Sequence, residues 1–222
     1  PRPPFPAQKG LWDQPTVVNN IETLANIPVI IAKGGSWFSS IGSKRNTGTK
    51  VLSLNGSITH PCLVEVPLGM KVKDIIEIGG GVLKGKKCKA MTTGGPSGGV
   101  LPSQSMDLPL SYDELNQAGS LLGSGITIID EETNMVDLAR YFLCFFKDET
   151  CGKCTTCREG VKKMSEIIDE ICAGRGEKGD LTLLERMAQP MADGSLCALG
   201  KTIPHAVTST IKHFKKDYET YI

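Results

Sequence analysis

Three cysteines are packed into seven residues of this chain, in the run Cys151-Gly-Lys-Cys154-Thr-Thr-Cys157. The spacing C-x-x-C-x-x-C is typical of iron–sulfur proteins, because three thiolates on one tight loop can reach three irons of a cubane cluster. The fourth thiolate of such a cluster has to come from another part of the fold. The run therefore predicts an iron–sulfur centre, of the 4Fe–4S type, at this loop.

Of the five remaining cysteines, Cys197 is the best candidate for the fourth ligand. It lies among small residues in 193–200, a predicted loop between two helices that can fold back onto the cysteine run. The others lie in or next to predicted strands or helices, where a cysteine usually packs as a small hydrophobe: Cys62, Cys88, Cys144 and Cys172. A structural zinc site and cysteines that only pack are the alternatives, although zinc usually takes cysteines in two separated pairs.

The neighbours of the run favour thiolate ligands. Lys153 and Arg158 add positive charge beside the sulfurs. Thr156 and Glu159 match the capping-box pattern S/T-x-x-E, which predicts that a helix begins there. Cys157 would then stand at the positive end of a helix dipole, where a thiolate is stabilised.

From about residue 134 the apolar residues recur with the period of a helix. A second capping-box pattern, Thr182 and Glu185, predicts the start of a third helix, and Pro190 and Gly194 predict its end. Four helices with short connections predict an all-α four-helix bundle over residues 133–222. The predicted apolar stripes of three of these helices are Val136, Ala139, Leu143 and Phe146, then Val161, Met164, Ile168 and Ile171, then Ile203, Val207, Ile211, Phe214 and Tyr218.

Residues 49–132 have a different pattern, with short β-like runs around one helix. Two strands, a helix and then more strands is the order of a β-grasp, or ubiquitin-like, domain. The predicted fold class is therefore α+β, a β-grasp domain followed by the helical bundle. The predicted strands are 50–54, 62–66, 89–93 and 126–130, and the predicted helix is 72–78.

Residues 1–48 resemble the tail of a larger domain. A proline-rich beginning predicts an extended linker, and Asn19 and Asn20 are good caps for a helix that follows them. Pro28 is predicted to interrupt that helix, and Gly34 to end the segment. We expect a piece of a longer protein, cut at both ends, because the chain starts without Met and stops inside an amphipathic pattern.

Charge and hydropathy exclude two classes of partner. Twenty-five basic and 24 acidic residues give a net charge of +1, which argues against nucleic-acid binding through bulk charge. No apolar run approaches the roughly 18 residues of a membrane span, so we expect no direct membrane insertion. Clustered cysteines without a sign of secretion favour a cytoplasmic metal protein over a disulfide-bonded one.

Six motifs, in order along the chain, together resemble one family. It is the NADH-binding flavoprotein subunit of respiratory complex I, shared with NAD-linked hydrogenases, bifurcating ones included, and with formate dehydrogenases. The motifs are Pro3-Pro-Phe-Pro-Ala, Gly10-Leu-Trp, Pro15-Thr-Val-Val-Asn-Asn-Ile-Glu-Thr-Leu-Ala-Asn26, Gly94-Gly-Pro-Ser-Gly-Gly99, Cys151-Gly-Lys-Cys-Thr-Thr-Cys-Arg-Glu-Gly160 and Ser195-Leu-Cys-Ala-Leu-Gly200.

This resemblance implies three segments and a set of site residues. Residues 1–48 would be the C-terminal tail of an FMN- and NADH-binding domain that is mostly absent, 49–132 an SLBB-type β-grasp domain and 133–222 a 4Fe–4S bundle. Ala198 and Leu199 would lie between flavin and cluster. The implied cluster ligands are Cys151, Cys154, Cys157 and Cys197, and the implied flavin contacts are Val18, Asn19, Asn20 and Thr23.

The resemblance also implies a role in electron transfer. The cluster would accept single electrons from FMN in an NADH-oxidising or NAD-reducing enzyme. It would pass them to a 2Fe–2S thioredoxin-like subunit and another iron–sulfur subunit. In complex I this chain would be peripheral to the membrane. The 222 residues contain no P-loop, and their one G-x-G-x-x-G run, at 174–179, lies between two predicted helices and not directly after a strand. Alone they are therefore not expected to oxidise NADH or hold FMN. The alternative function is a non-catalytic binding module stabilised by zinc.

Overall fold

The computed structural model describes residues 4–222, so that Pro1, Arg2 and Pro3, which begin the first predicted segment and its first motif, lie outside the described residues. Within 4–222 the chain has a five-stranded mixed sheet and eight α-helices. The elements are α1 (Ile21–Lys33), α2 (Gly35–Ser39), β1 (Thr49–Gly56), β2 (Cys62–Pro67), α3 (Val72–Ile78), β3 (Cys88–Thr92), β4 (Leu101–Pro102), α4 (Tyr112–Gln117), β5 (Gly125–Asp130), α5 (Met135–Glu149), α6 (Thr155–Cys172), α7 (Asp180–Gly194) and α8 (Ala198–Glu219).

The strands are arranged in the order β2-β1-β5-β3-β4. Strand β1 pairs parallel with β5, and the other neighbours are antiparallel. Alternate residues of β1 and β5 enter one core because side chains alternate across a strand; helix α3 covers this core, whose members include Leu52, Leu54, Ile75, Ile76, Ile126 and Ile128. The four predicted strands and the predicted helix 72–78 are confirmed, whereas β4 has only two residues and gave no periodic signal.

Helices α5 to α8 pack against one another around a second core. Each predicted stripe is buried there except Phe214, which is only partly buried and lies where α8 is kinked. Burying one such side chain stabilises the fold by about 1.5–3 kcal/mol. Ala90, Val100 and Ile129, from the sheet side, join the same core, so the sheet and the helices are packed together.

Both predicted proline breaks are wrong. Helix α1 continues through Pro28 and α7 through Pro190. A proline inside a helix costs about 3 kcal/mol, but Leu184 and Met191, on either side of Pro190, are both buried in the helical core. Packing on both sides of the proline therefore keeps α7 continuous.

Both predicted capping boxes are wrong as well. Helix α6 begins at Thr155 with Cys154 at its N-cap, and α7 begins at Asp180. The pattern S/T-x-x-E also fits a helix interior, so it cannot fix the first residue by itself. Cys157 nevertheless lies in the first turn of α6, as the sequence predicts.

One lysine ties the sheet to the helical part. The Lys89 Nζ donates to Asp217 Oδ2 (2.6 Å) and to the Thr133 carbonyl (2.8 Å), and Asp217 Oδ2 also accepts from the Met135 N–H (3.2 Å). The Lys89 and Asp217 side chains are only 21% and 23% exposed, so water replaces these bonds poorly.

Replacing Lys89 by methionine is therefore expected to lower the free energy of unfolding by about 1–3 kcal/mol, because it leaves Asp217 and the Thr133 carbonyl without a charged donor. Urea unfolding followed by circular dichroism measures the change. The matched control is Lys84→Met in an exposed turn, which should change stability by less than about 0.5 kcal/mol. Equal effects of the two variants would contradict a linking role for Lys89.

None of the helices in the described part of the chain is both long and apolar enough to cross a bilayer.

Candidate metal centre

Two helix N-termini carry the candidate ligands. Cys154 is the N-cap of α6 and Cys197 the N-cap of α8, and both have extended backbones. Cys157 follows in the first turn of α6, and Cys151 precedes that helix in the loop after α5. Partial positive charge at a helix start favours a thiolate over a thiol, so the fold supplies this stabilisation from two helices, one more than the sequence predicts.

The loop between α7 and α8 lies against the cysteine run. The Leu196 N–H donates to Cys154 Sγ at 3.3 Å. A Cβ on Gly200 would come within 2.7 Å of Ser195 Cβ and 3.1 Å of Cys157 Cβ. The structure thus brings the Cys197 loop and the Cys151–Cys157 run together through direct contacts.

The four cysteines differ in exposure. The Cys157 residue is 5% exposed, Cys154 is intermediate, and Cys151 and Cys197 are exposed.

Arg158 Nη1 donates to the Gly152 carbonyl at 2.6 Å, so Arg158 stabilises the loop between the first two cysteines. Gly152 has φ +70°, a left-handed conformation that glycine adopts without strain.

Two buried hydroxyls at this site indicate that the residues fit a sulfur-rich group. The Oγ1 of Thr156 and the Oγ of Ser195 are buried and have no hydrogen-bond partner in the described chain. Buried polar atoms nearly always have a partner, and Ser195 is next to Cys157 across Gly200. A cluster held by these cysteines would add sulfur acceptors near Ser195.

The donor set also suits a cluster. Four thiolates without a carboxylate suit Fe–S clusters or zinc. Within residues 4–222, no three His, Cys, Asp or Glu side chains converge closely enough to hold one ion. A cubane cluster does not need that convergence, because it distributes its four thiolates over four irons.

The other cysteines have different surroundings. Burial, and then the negative charge of Asp137, raises the pKa of the Cys172 thiol to about 11. Burial also raises the pKa of Cys88, whose Sγ donates to the Ala90 carbonyl. A thiol with a raised pKa is a poor source of ligand thiolate near neutral pH.

The residues that the resemblance implies as flavin contacts lie together at the start of α1. Val18, Asn19, Asn20 and Thr23 are exposed, and the Asn20 Oδ1 caps the helix by accepting the Glu22 N–H at 2.8 Å. Glu22 in turn accepts from Lys50 Nζ (2.5 Å) and the Val51 N–H (2.6 Å). Burial opposes its ionisation, but these bonds and the Lys50 charge lower the pKa of Glu22, so an ionised carboxylate fixes α1 on β1.

Ala198 and Leu199 form the first turn of α8, directly after Cys197, with Ala198 exposed and Leu199 partly buried. Sequence reasoning missed three groups at the centre, namely Thr150, Ser195 and the Leu196 N–H. The sequence signals for two of them are position and motif, since Thr150 directly precedes Cys151 and Ser195 begins the sixth motif, two residues before Cys197.

Comparisons with known proteins match the region that contains these cysteines to an iron–sulfur family. Residues 137–221 match the family described as the NADH-ubiquinone oxidoreductase-F iron–sulfur binding region. The NADP-reducing hydrogenase subunit HndC of Solidesulfovibrio fructosivorans is 47% identical, over 100% of this chain and 46% of its own length. The F subunit of NADH-quinone oxidoreductase from Escherichia coli (strain K12) is 37% identical, over 100% of this chain and 50% of its own length.

Among solved structures, the crystal structure of NAD⁺-reducing [NiFe]-hydrogenase in the H₂-reduced state aligns with a TM-score of 0.88 and 30% identity, covering 100% of this chain and 38% of that chain. The chain spans about half the length of the curated relatives it matches. Residues 137–221 therefore match a 4Fe–4S domain family, and the whole chain is similar to F subunits of NADH-quinone oxidoreductases and to hydrogenase subunits.

Proposed function

We propose that this chain is the electron-transfer portion of an NADH-oxidising or NAD-reducing flavoprotein subunit. In this proposal Cys151, Cys154, Cys157 and Cys197 hold the 4Fe–4S cluster. The observation that carries it is the contact of the Leu196 N–H with Cys154 Sγ, because it puts the Cys197 loop against the cysteine run inside a region matched to an iron–sulfur family.

When bound, the cluster supplies a one-electron carrier. The protein would hold the cluster and partly shield it from water. The N-termini of α6 and α8 stabilise the thiolates, and the Leu196 N–H donates to Cys154 Sγ. The Ser195 hydroxyl is buried near Cys157 without another partner. Hydrogen bonds and partial burial of this kind set the potential at which a cluster accepts an electron.

The proposed domains follow from the same resemblance and from the fold. The strand order β2-β1-β5-β3-β4, with its parallel pair β1–β5, supports a β-grasp domain of the SLBB type over 49–132. The mutual packing of α5 to α8 supports a four-helix bundle over 133–222. Residues 1–48 are proposed as the C-terminal part of a domain that binds FMN and NAD(H) in the full-length protein.

For the flavin we propose contacts from Val18, Asn19, Asn20 and Thr23, at the start of a helix that Glu22 fixes to β1. Ala198 and Leu199 are proposed to separate flavin from cluster. The proposed partners are a 2Fe–2S thioredoxin-like subunit and a further iron–sulfur subunit, at a cytoplasmic location. The names of the relatives support a multi-subunit redox enzyme, since they are subunits of NADH-quinone oxidoreductases and hydrogenases.

Reduction of the intact, FMN-loaded protein tests this function. Adding NADH without oxygen is expected to bleach the visible absorbance of the cluster and to produce the EPR signal of its reduced form. Dithionite, which reduces the cluster without FMN, is the control. A cluster that dithionite reduces and NADH does not would overturn the relay between NADH and cluster while leaving the cluster itself in place.

A further inference from the structure

A threonine hydroxyl lies beside the most buried of the four candidate ligands. Thr150 ends α5, where its backbone N–H donates to the Phe146 carbonyl at 3.0 Å. Its Oγ1 is 3.2 Å from Cys157 Sγ and also accepts the Gly152 N–H at 3.4 Å. Cys157 is 5% exposed, so water has little access to this sulfur and the hydroxyl is a polar neighbour of a largely dry site.

The direction of the Thr150–Cys157 hydrogen bond follows from the chemistry of a ligand. A free Cys157 thiol can donate or accept, but a thiolate bound to iron has no hydrogen and can only accept. The Thr150 oxygen already receives the Gly152 N–H, which leaves its single hydrogen for Cys157 Sγ. With the cluster bound, the hydroxyl therefore donates to the sulfur.

The Thr150 hydroxyl can be removed by substitution, whereas the backbone N–H of Leu196 cannot. Cys154 Sγ accepts from the backbone N–H of Leu196, which a side-chain substitution leaves in place. Thr150 offers a side-chain donor that valine removes with nearly the same shape. The Gly152 N–H would lose its acceptor in that variant, but Gly152 is partly exposed, so water can replace it.

We propose that Thr150 is a positioning residue that raises the midpoint potential of the cluster by donating its hydroxyl hydrogen to Cys157 Sγ. Reduction adds one electron to the cluster and its thiolates, and no proton moves, because the hydroxyl keeps its hydrogen. A donor stabilises the more negative, reduced form more than the oxidised form. The inference rests on the proposed function, since it requires Cys157 to be a cluster ligand.

The test compares the intact protein with its Thr150→Val and Thr150→Ser variants. Iron and sulfide analysis first measures how much cluster each protein holds, and an EPR-monitored redox titration with dithionite and mediators then gives the midpoint potential. Valine is expected to reduce the equilibrium constant for one-electron reduction three- to tenfold, a shift of about 30–60 mV to more negative potential at 59 mV per tenfold. Serine keeps the hydroxyl and should stay close to the wild type.

The outcomes separate this inference from the proposed function. A valine variant that holds the cluster at the wild-type potential overturns the inference and leaves the function standing. A wild-type protein without iron and sulfide overturns the function. If valine prevents loading, Thr150→Ala replaces it and is compared with Thr150→Ser, because both lack the methyl group and differ in the hydroxyl. Equal potentials for alanine and serine, or loss of the cluster in serine as well, would overturn the inference.

Discussion

Replacing Cys197 by serine is expected to remove at least one iron from the cluster of the intact protein, leaving either a three-iron species or no cluster. A serine hydroxyl gives up its proton far less readily than a thiol, so the ligand from the α8 N-cap is lost while the three thiolates of the run remain. The contact of its loop with Cys154 supports the proposal that Cys197 completes the set. Iron analysis, with EPR of the oxidised protein to detect a three-iron cluster, measures the result.

Cys172→Ser is the matched control for that experiment. Cys172 lies at the C-terminal end of α6, where the helix dipole disfavours a thiolate, and burial followed by the charge of Asp137 raises its thiol pKa to about 11. It is therefore expected to keep the full iron content after substitution. An intact cluster in Cys197→Ser together with loss of iron in Cys172→Ser would show that the assignment of the fourth ligand is wrong.

Replacing Gly200 by alanine is expected to lower the free energy of unfolding by about 1–3 kcal/mol and to reduce the cluster content. Alanine normally favours a helix by about 1 kcal/mol over glycine. Here the new Cβ would lie 2.7 Å from Ser195 Cβ and 3.1 Å from Cys157 Cβ. Relieving these contacts requires the Cys197 loop and the cysteine run to move apart, and such overpacking costs about 1–3 kcal/mol. Urea unfolding and iron analysis measure the two effects.

The control for Gly200 is Gly35→Ala in α2, because a Cβ on Gly35 meets nothing within 4 Å. That substitution should leave stability within about 0.5 kcal/mol of the wild type and the iron content unchanged. If Gly200→Ala were as stable as wild type and carried a full complement of iron, close packing between the two loops would not be needed for the site.

Much of the fold can be predicted from the sequence because burial imposes a period on it. Leu52, Leu54 and the residues of β5 alternate across the sheet, and Val161, Met164 and Ile168 recur at the spacing of a helix face. These patterns depend only on local geometry, so they identify elements to within a residue or two. The cysteine run can also be recognised from local sequence, because one short loop contains three of the candidate ligands.

Other features depend on contacts between distant parts of the chain. Helix α7 continues through Pro190 because packing on both sides compensates for the lost hydrogen bond, and no local signal reports that packing. The neighbours of Cys157 are likewise set by tertiary structure. Ser195 lies near Cys157 because the loop between α7 and α8 packs against the start of α6. The direction of the Thr150 bond depends on Gly152.

The central claim, that this chain holds a 4Fe–4S cluster, is tested most directly by metal analysis and EPR of the intact protein purified without oxygen. We expect a brown protein with about four irons and four sulfides per chain, and an EPR signal that appears on reduction with dithionite. A colourless protein that contains zinc as its only metal and remains EPR-silent after reduction would contradict this claim and would favour a zinc-stabilised binding module.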